Sequence, residues 1–406
     1  MQQENKLNLS SRHEKWIVAV ILCISPLAGM TIDLIAPSLP AISHGLQISA
    51  AAAKNLISIY LLGMALGNFF IGFLSDSLGR RKLGILGSAI FTLASLFPAI
   101  FSHLGILFIT RFLQGFTLGA VGVVARAILA DILPSQKLIR IAPMISTMWG
   151  IGPIVGPVIG GYLQYYINWQ AGFYFFAIYG FIILIGIIRI IPETHFHRQI
   201  LDIRQIKNNF LIIVKHRIFM GAVILAGLGY SLLVVFNILG PFLIQTQWGY
   251  TSIYFGHIAL WMGVMFLLGT ITCRYFIKQY TPEVILWKAI RIFLLVGIVG
   301  VMFAFIDSQN IWVVIIPSLL MFFGCGVIFP AGMGYGMSLF RHLAGSSSAV
   351  MSFTYVLIPS LVGLLMSFVL INNAIPMMWM YLGIMLFSGL IYWLLIKSPK
   401  SIISEK

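Results

Sequence analysis

The chain has 406 residues, of which 60% are hydrophobic and 9% are charged, and its formal net charge is +15. Soluble domains carry roughly 25% charged residues, so this composition excludes a water-soluble protein and indicates an integral membrane protein. Apolar runs of about 20 residues predict helices, because a membrane barrel would show period-two alternation. The cysteines Cys23, Cys273 and Cys325 lie in or beside apolar runs and fit neither a disulfide framework nor a metal site.

The apolar runs predict twelve membrane-spanning helices. In chain order they lie at about 16–38, 55–75, 83–102, 104–132, 139–164, 170–191, 217–244, 252–276, 284–306, 311–338, 345–371 and 375–396. The longest polar stretch, 192–216, divides them equally. We therefore predict an all-α membrane protein with an N-terminal six-helix bundle at 1–191, a linker at 192–216 and a C-terminal six-helix bundle at 217–406.

The basic residues are distributed unequally between the two sides of the predicted membrane. Nearly all of them fall at the two termini, in the linker or in loops of the same side, and only Lys54 falls in a loop of the opposite side. This positive-inside bias predicts a multi-pass protein of the bacterial cytoplasmic (inner) membrane with both termini in the cytoplasm. It also explains the net charge without a nucleic-acid partner.

The first span contains Asp33, the only carboxylate well inside a predicted span. A charge at mid-bilayer costs at least about 2.5–3.5 kcal/mol, so this group needs a partner or a water-filled cavity. It lies about 27 Å beyond Lys15 by helical rise, in the outer part of the membrane. Two interpretations stay open: a protonatable or cation-recognising group at a transport cavity, and a carboxylate at a water-exposed outer mouth.

The segment Gly72-Phe-Leu-Ser-Asp76-Ser-Leu-Gly79-Arg80-Arg81-Lys82 joins the second and third spans and predicts a tight loop at the membrane surface. It resembles the loop between the second and third helices of the major facilitator superfamily, Gly-x-Leu-x-Asp-x-x-Gly-Arg-Arg/Lys. The alternative is a generic basic loop on the cytoplasmic side. The resemblance implies a fold of two pseudo-symmetric six-helix bundles that work by alternating access. It also implies that the loop is a conformational latch.

The fourth span carries Arg111, Gln114 and Gly115, which resemble the superfamily pattern Arg-x-x-Gln-Gly. Helical rise places Arg111 at the depth of Asp33, so we expect Asp33 to couple protons with Arg111 tuning it. The alternative for Arg111 is a purely structural or snorkelling arginine.

The inner end of the fourth span, Ala125-Arg126-Ala127-x-x-x-Asp131, resembles the bicyclomycin- and chloramphenicol-resistance branch of the drug:proton antiporters. We expect Arg126 and Asp131 to belong to the latch formed by the segment around Asp76. The alternative is an ordinary pair of charges at the membrane surface.

The fifth span contains Gly152-Pro153-Ile-Val-Gly156-Pro157-Val-Ile-Gly160-Gly161. Glycines four residues apart share one helix face and allow a neighbouring backbone to approach closely, while each proline bends the axis. The segment resembles the Gly-x-x-x-Gly-Pro-x-x-Gly-Gly motif of the antiporter branch, and this resemblance favours export over uptake.

The two halves of the chain show signs of duplication. Asp33-x-x-x-Pro37-x-Leu39 matches Asn237-x-x-x-Pro241-x-Leu243, 204 residues further on. The predicted unit is the six-helix repeat that transporters of this superfamily contain twice.

The resemblance implies a substrate cavity lined by apolar side chains and a few polar groups. Its expected lining residues are Asp33, Tyr60, Met64, Asn68, Gln114, Tyr230, Phe236, Asn237, Trp261 and Phe353.

The predicted function is proton-coupled export of small, largely apolar or cationic molecules by a monomer in membrane lipid. It needs no cofactor or metal, because the proton gradient supplies the energy. Export of a native metabolite such as a siderophore or amino acid, and proton-coupled nutrient uptake, are alternatives. An enzyme is not expected and no catalytic residue is assigned, because the sequence contains no His-Glu-x-x-His or Gly-x-Ser-x-Gly motif.

The predicted topology can be tested with cysteines introduced at Lys6, Gln205 and Lys400. All three positions should react only with reagents that reach the cytoplasmic side, because the bases cluster there. A signal from outside the cell at any of them would contradict the count of twelve spans.

Overall fold

The computed structural model describes residues 10–194, 203–340 and 343–397. Within these ranges the description omits the side chains at 72–78, 135, 139, 142–143, 146–147, 203, 205 and 344. The described part is helical and contains no β-strand. Its two shorter helices are α2 (Leu39–Gly45) and α8 (Ile203–Lys215). Its twelve long helices are α1 (Ser11–Asp33), α3 (Ala50–Leu78), α4 (Arg80–Ile100), α5 (Leu104–Ile132), α6 (Ser135–Tyr166), α7 (Gln170–Ile190), α9 (Arg217–Pro241), α10 (Ser252–Phe276), α11 (Pro282–Ile306), α12 (Trp312–Leu339), α13 (Ala344–Ser367) and α14 (Ile375–Ile391).

Eleven helical segments in the described part are long and apolar enough to cross a membrane. The remaining long helix, α6, has 32 residues and occupies the place of the predicted fifth span. The prediction of an all-α membrane fold is therefore confirmed. In each unit most bases lie at the helix ends that the sequence assigns to the cytoplasm; we call these ends the basic end of that unit and the opposite ends its far end.

The junction between α3 and α4 is shorter than the predicted loop at 72–82. The first helix continues to Leu78 and the next begins at Arg80, so Gly79 alone separates them. Its φ of +90° is a conformation that glycine adopts without steric cost. The predicted loop at 72–82 was wrong, because the charged segment continues the two helices beyond the apolar runs.

The predicted linker at 192–216 contains the helix α8. Its Ile213 is fully buried and belongs to an apolar cluster with Phe219, Val350 and Met351. The sequence predicts only a polar connection here, because three bases in this short helix mask the apolar positions on one of its faces.

The chain forms two compact units. Unit 1 comprises Met1–Ile203, Asn237–Gly263 and Ser360–Leu370. Unit 2 comprises Arg204–Phe236, Val264–Pro359 and Ile371–Lys406. The predicted bundles at 1–191 and 217–406 stay a prediction.

Close glycine contacts hold α3 against α5 in unit 1. A Cβ atom built on Gly63 would lie 2.2 Å from the carbonyl oxygen of Phe112, and one on Gly67 would lie 2.0 Å from that of Phe116. In the other direction, a Cβ on Gly115 would lie 1.9 Å from the carbonyl oxygen of Tyr60. Such small-residue contacts replace the hydrophobic effect as the source of helix association in lipid.

Unit 2 contains the corresponding contact between α10 and α12. A Cβ atom on Gly269 would lie 2.2 Å from the carbonyl oxygen of Phe323, and one on Gly326 would lie 2.2 Å from that of Phe266. These are the second and fourth long helices of the C-terminal half, as α3 and α5 are of the N-terminal half. The same device in both halves supports a duplicated origin.

The contact between α3 and α5 predicts that Gly115→Ala destabilises the protein. The added methyl group would overlap main-chain atoms of Tyr60, and such overpacking costs about 1–3 kcal/mol. Gly334→Ala is the control, because a Cβ there meets no atom within 4 Å. Thermal unfolding in detergent should show a lower midpoint for Gly115→Ala and an unchanged or higher one for Gly334→Ala. Equal midpoints would contradict the close packing.

Candidate functional site

The site is built around the break at the end of α1. This helix ends at Asp33, and the chain continues as a 3-10 turn, Ala36–Ser38, before α2. The break has a local cause: Pro37 has no N–H, so the carbonyl of Asp33 has no donor four residues on. Asp33 is only 2% exposed. The sequence therefore places a carboxylate at a helix end inside the protein.

The matching segment of α9 meets this break within unit 1. Asn237 Nδ2 donates a hydrogen bond of 2.5 Å to Asp33 Oδ1, and Gln245 Nε2 donates one of 3.0 Å to the carbonyl of Pro37. Pro241 stands four residues after Asn237, and a π-helical turn, Phe242–Gln247, follows. The two members of the predicted repeat are thus in direct contact.

The second carboxylate oxygen of Asp33 is buried and has no hydrogen-bond partner among the described residues. In that part of the chain no Lys, Arg or His lies within ion-pair distance of Asp33. A buried acceptor without a donor is costly, and most such atoms in proteins are satisfied. This oxygen is therefore able to hold a proton or to accept a donor from a bound molecule.

Arg111 reaches the last turn of α1 but bonds to main-chain atoms there and in α3. Its Nη2 donates to the carbonyl of Thr31 (3.0 Å), in the last turn of α1, and its Nε to that of Leu56 (3.3 Å). Its guanidinium carbon lies 4.6 Å from the centre of the Tyr60 ring. A cation at a helix C-terminus interacts favourably with the unpaired carbonyls there. Arg111 therefore caps α1 and joins it to α3.

The polar network continues away from Arg111. Gln114 Oε1 accepts from Arg111 Nη1 (2.9 Å), and its Nε2 donates to Ser95 Oγ (2.9 Å). The hydroxyl of Tyr60 donates to the carbonyl of Ala28 (3.1 Å). Arg111, Gln114 and Tyr60 are all fully buried. These contacts make the network a rigid support for the end of α1.

The glycine motif of α6 lies against the same part of α1. A Cβ atom on Gly152 would come within 2.6 Å of the N atom of Met30, and one on Gly160 within 2.0 Å of the carbonyl oxygen of Leu34. At Gly156 the new Cβ would lie 3.2 Å from the Cβ of Asp33. The shared face that the spacing predicts is thus the face that holds Asp33.

The remaining residues of the motif contact either α1 or α10. Pro153 packs on α1, because its Cδ atom would lie 3.3 Å from a Cβ atom built on Gly29. A Cβ on Gly161 would lie 2.5 Å from the carbonyl oxygen of Ser252, and one on Gly256 would lie 2.7 Å from that of Pro157. The motif therefore serves two helix contacts within unit 1.

The other predicted cavity residues are divided between the units. In unit 1, Met64 and Asn68 are buried, and the Nδ2 atom of Asn68 has no hydrogen-bond partner among the described residues. Trp261 is 62% exposed and stands apart from the buried network. The three in unit 2 are Tyr230 and Phe236, both buried, and the half-buried Phe353. The polar residues that the structure brings together are Asp33, Tyr60, Gln114 and Asn237, with Arg111.

The basic end of unit 1 carries a second polar cluster. Arg80 forms an ion pair with Asp131 and donates 2.7 Å to the carbonyl of Ala127. Thr194 Oγ1 donates 2.8 Å to the same carboxylate. Three predicted latch residues, Gly79, Arg80 and Asp131, thus lie within one connected region of the basic end.

Glu193 is a member of this cluster that the sequence analysis did not assign. Its two carboxylate oxygens accept from the main-chain N–H groups of Arg80 (3.0 Å) and Arg81 (3.3 Å), the first residues of α4. A carboxylate at this position satisfies donors that a helix N-terminus leaves unpaired. A Glu directly after the end of α7, in Pro192-Glu193-Thr194, was the available signal.

For three other predicted latch residues, the described structure shows no contact with this cluster. The side-chain positions at Gly72 and Asp76 lie outside the described residues. Arg126 is exposed on α5. The structure therefore relates Asp131 to the α3–α4 junction through Arg80.

The sequence assigns Lys54 to a loop, but the structure places it in a helix. It lies in the first turns of α3, is 3% exposed, and donates 2.8 Å from Nζ to the carbonyl of Val369. Nearby, Ser360 Oγ donates 2.8 Å to the carbonyl of Ser58. Hydropathy could not show this burial, because it depends on the segment Ser360–Leu370, which is distant in sequence.

The profile of the Major Facilitator Superfamily matches residues 21–364. The bicyclomycin resistance protein homolog of Haemophilus influenzae is 25% identical over 92% of this chain and 94% of that protein. Multidrug resistance protein MdtM of Escherichia coli K12 is 24% identical, with 82% of each chain covered. Multidrug resistance protein MdtL of Shewanella oneidensis is 28% identical over 62% of this chain and 63% of that protein.

Solved structures show the same fold. A D-xylose-proton symporter superposes with a TM-score of 0.73 at 15% identity, over 94% of this chain and 97% of that one. A bacterial homolog of the human lysosomal transporter Spinster superposes with a TM-score of 0.69 at 14% identity, over 95% and 97%. With the family profile covering most of the sequence, the chain belongs to the Major Facilitator Superfamily and is a membrane transporter, as the sequence predicts, and not an enzyme.

Proposed function

We propose that this transporter exports small, largely apolar or cationic molecules in exchange for protons. The observation that carries the proposal is the buried carboxylate of Asp33, which has one oxygen without a partner and no cation within ion-pair distance in the described part of the chain. The relatives named for bicyclomycin and multidrug resistance support the direction and the class of cargo. The proton gradient supplies the energy, and neither a cofactor nor a metal is needed.

The proposed exchange takes place at the unpartnered oxygen of Asp33. A proton on Oδ2 makes the side chain neutral, while Oδ1 continues to accept from Asn237. Release of the proton leaves a negative charge that a cationic cargo neutralises. Proton and cargo therefore compete for one group, which is the basis of antiport. We include Tyr60, Met64, Asn68 and Gln114 in the surrounding cavity surface.

The far end of unit 1 would act as one gate. Opening of that side requires Asn237–Gly263 and Ser360–Leu370 to leave α1, α3 and α6. The hydrogen bonds Asn237–Asp33, Lys54–Val369 and Ser360–Ser58 would then break. Because the first of these involves the coupling carboxylate, opening changes the surroundings of the group that exchanges protons.

The basic end would face the cytoplasm, with both termini on that side of the inner membrane, and the protein would act as a monomer. We propose that the α3–α4 junction with Asp76, Arg80, Arg81, Arg126 and Asp131 is the latch of that side. Glu193 ties the end of α7 to this junction. A change at the junction would thus be transmitted to both α5 and α7.

Asp33→Asn should abolish export driven by a pH gradient. Asparagine keeps the size of the side chain and an acceptor for Asn237, but it cannot exchange a proton. The first measurement is transport of ethidium, a lipophilic cation, in proteoliposomes with an imposed pH gradient. The second is cargo-triggered proton release by the protein in detergent. Export of cationic cargo should fall more than export of neutral cargo. A neutral molecule loses only the coupling to protons, whereas a cation also loses its ion-pair partner.

Asp307→Asn is the matched control, because Asp307 is an exposed carboxylate beyond the end of α11. It should leave both measurements unchanged. Wild-type proton release and wild-type ethidium export by Asp33→Asn would assign the coupling to another group, or exclude antiport.

Arg111→Lys should destabilise the site although it keeps the positive charge. Lysine presents one ammonium in place of the planar fork that reaches Thr31, Leu56 and Gln114, so at least one buried acceptor loses its donor, at about 1–3 kcal/mol. We expect a lower unfolding midpoint and strongly impaired transport. Arg274→Lys, at an exposed position with no proposed role in transport, is the control. Equal midpoints for the two variants would remove the structural role of Arg111.

A further inference from the structure

A groove with an apolar wall and two arginines at its edge lies at the basic end of unit 1, between α1 and α7. It has a volume of about 410 Å³ and is lined by Ser10, Arg12, His13, Trp16, Arg189 and Ile190. The two helices are held together beside it, because His13 Nε2 donates 2.7 Å to the carbonyl of Ile190. Pockets that accept small ligands begin at about 300 Å³, so the groove has room for a lipid headgroup.

The charge in the groove is positive and lacks a counterion in the described part of the chain. Arg12 and Arg189 are both exposed, and neither guanidinium has a hydrogen-bond or ion-pair partner there. The nearest acid along α1, Glu14, is already paired with Lys137 at 2.7 Å. Two guanidinium groups on adjacent helices suit an anion that accepts several hydrogen bonds, such as a phosphodiester.

The groove is continuous with an apolar surface that extends along the membrane-spanning part of α7. On α7 the residues four, seven and eleven positions before Arg189 are Ile185, Ile182 and Ile178, exposed by 43%, 61% and 64%. On α1 the residue four positions after Arg12 is Trp16, exposed by 55%. Exposed isoleucines along a spanning helix face acyl chains, and an indole at this level is typical of the lipid interface.

We infer that this groove, which we call the α1–α7 groove, is a binding site for an anionic phospholipid. Its phosphate would lie between Arg12 and Arg189, and its acyl chains would follow the isoleucines of α7. The apolar stripe favours a phospholipid over a free anion, since a soluble phosphate would gain nothing from it. Basic pockets between transmembrane helices on the cytoplasmic side bind anionic headgroups in this way.

The test uses purified full-length protein in dodecyl maltoside, stripped of lipid and titrated with dioleoyl phosphatidylglycerol. Binding is followed by the rise in unfolding midpoint and by native mass spectrometry. Each arginine near a lipid surface strengthens binding about 5-fold, so Arg12→Gln with Arg189→Gln should weaken the apparent affinity about 30-fold. Arg12→Lys with Arg189→Lys should retain most of the affinity.

The matched control is Arg274→Gln with Lys278→Gln, which removes the same charge from exposed positions at the basic end of unit 2. It should leave the affinity unchanged, and both glutamine pairs should unfold at the wild-type temperature without lipid. An equal loss of affinity in the control pair would show that general surface charge causes the effect, and it would contradict a specific binding site. Equal binding of dioleoyl phosphatidylcholine, or equal stabilisation by inorganic phosphate, would overturn the assignment to an anionic phospholipid.

Discussion

The contact between the glycine face of α6 and the last turns of α1 is the constraint on which the site depends. Lipid tails are as apolar as the helices, so helices associate in a membrane by close packing and hydrogen bonds. Gly152, Gly156 and Gly160 bring the two backbones within reach of each other. Any side chain larger than hydrogen on this face would push α1 away and move Asp33 with it. The position of the carboxylate is thus set by residues that have no chemistry of their own.

The separation of Arg111 from Asp33 has a consequence for the function. An arginine paired with a carboxylate favours its charged form and would prevent proton exchange. Here the charge of Arg111 is balanced by carbonyl groups and by the face of Tyr60, while Asp33 keeps only the amide of Asn237. The arginine therefore holds the helix end without neutralising the acid.

Much of the fold follows from the sequence because one physical rule dominates it. Hydropathy places nearly all the spans, and glycine spacing identifies the contact face of α6. The repeat of Asp33–Pro37 and Asn237–Pro241 even identifies two segments that the structure brings together.

The contacts that the sequence did not predict share a different cause. The burial of Lys54 and the partners of Arg111 depend on main-chain carbonyls of segments that are distant in sequence. Main-chain carbonyls and N–H groups occur at every residue and leave no pattern to read. Helical rise in the sequence predicts that Arg111 and Asp33 lie at the same depth in the membrane. It could not show that Arg111 donates to the carbonyl of Thr31 and not to the carboxylate of Asp33.

The contacts that attach the later segments to the far end of unit 1 are tight but individually weak. Gln245, Ser252, Ser360 and Lys54 each form a single side-chain hydrogen bond to a carbonyl. Such bonds contribute only about 0.5–1.5 kcal/mol net between neutral groups, and about 1.5–3 kcal/mol where one group is charged, as at Lys54. The surfaces between them are smooth, because Gly161 and Gly256 remove the side chains that would otherwise interlock α6 with α10. A smooth surface held by a few weak bonds can separate without repacking a core, and the loss of each bond is offset when water reaches the exposed groups. Gly152, Gly156 and Gly160 position Asp33 on one face of α6, and Gly161 of the same motif lies where α6 meets α10, so one motif joins a fixed site to a movable gate.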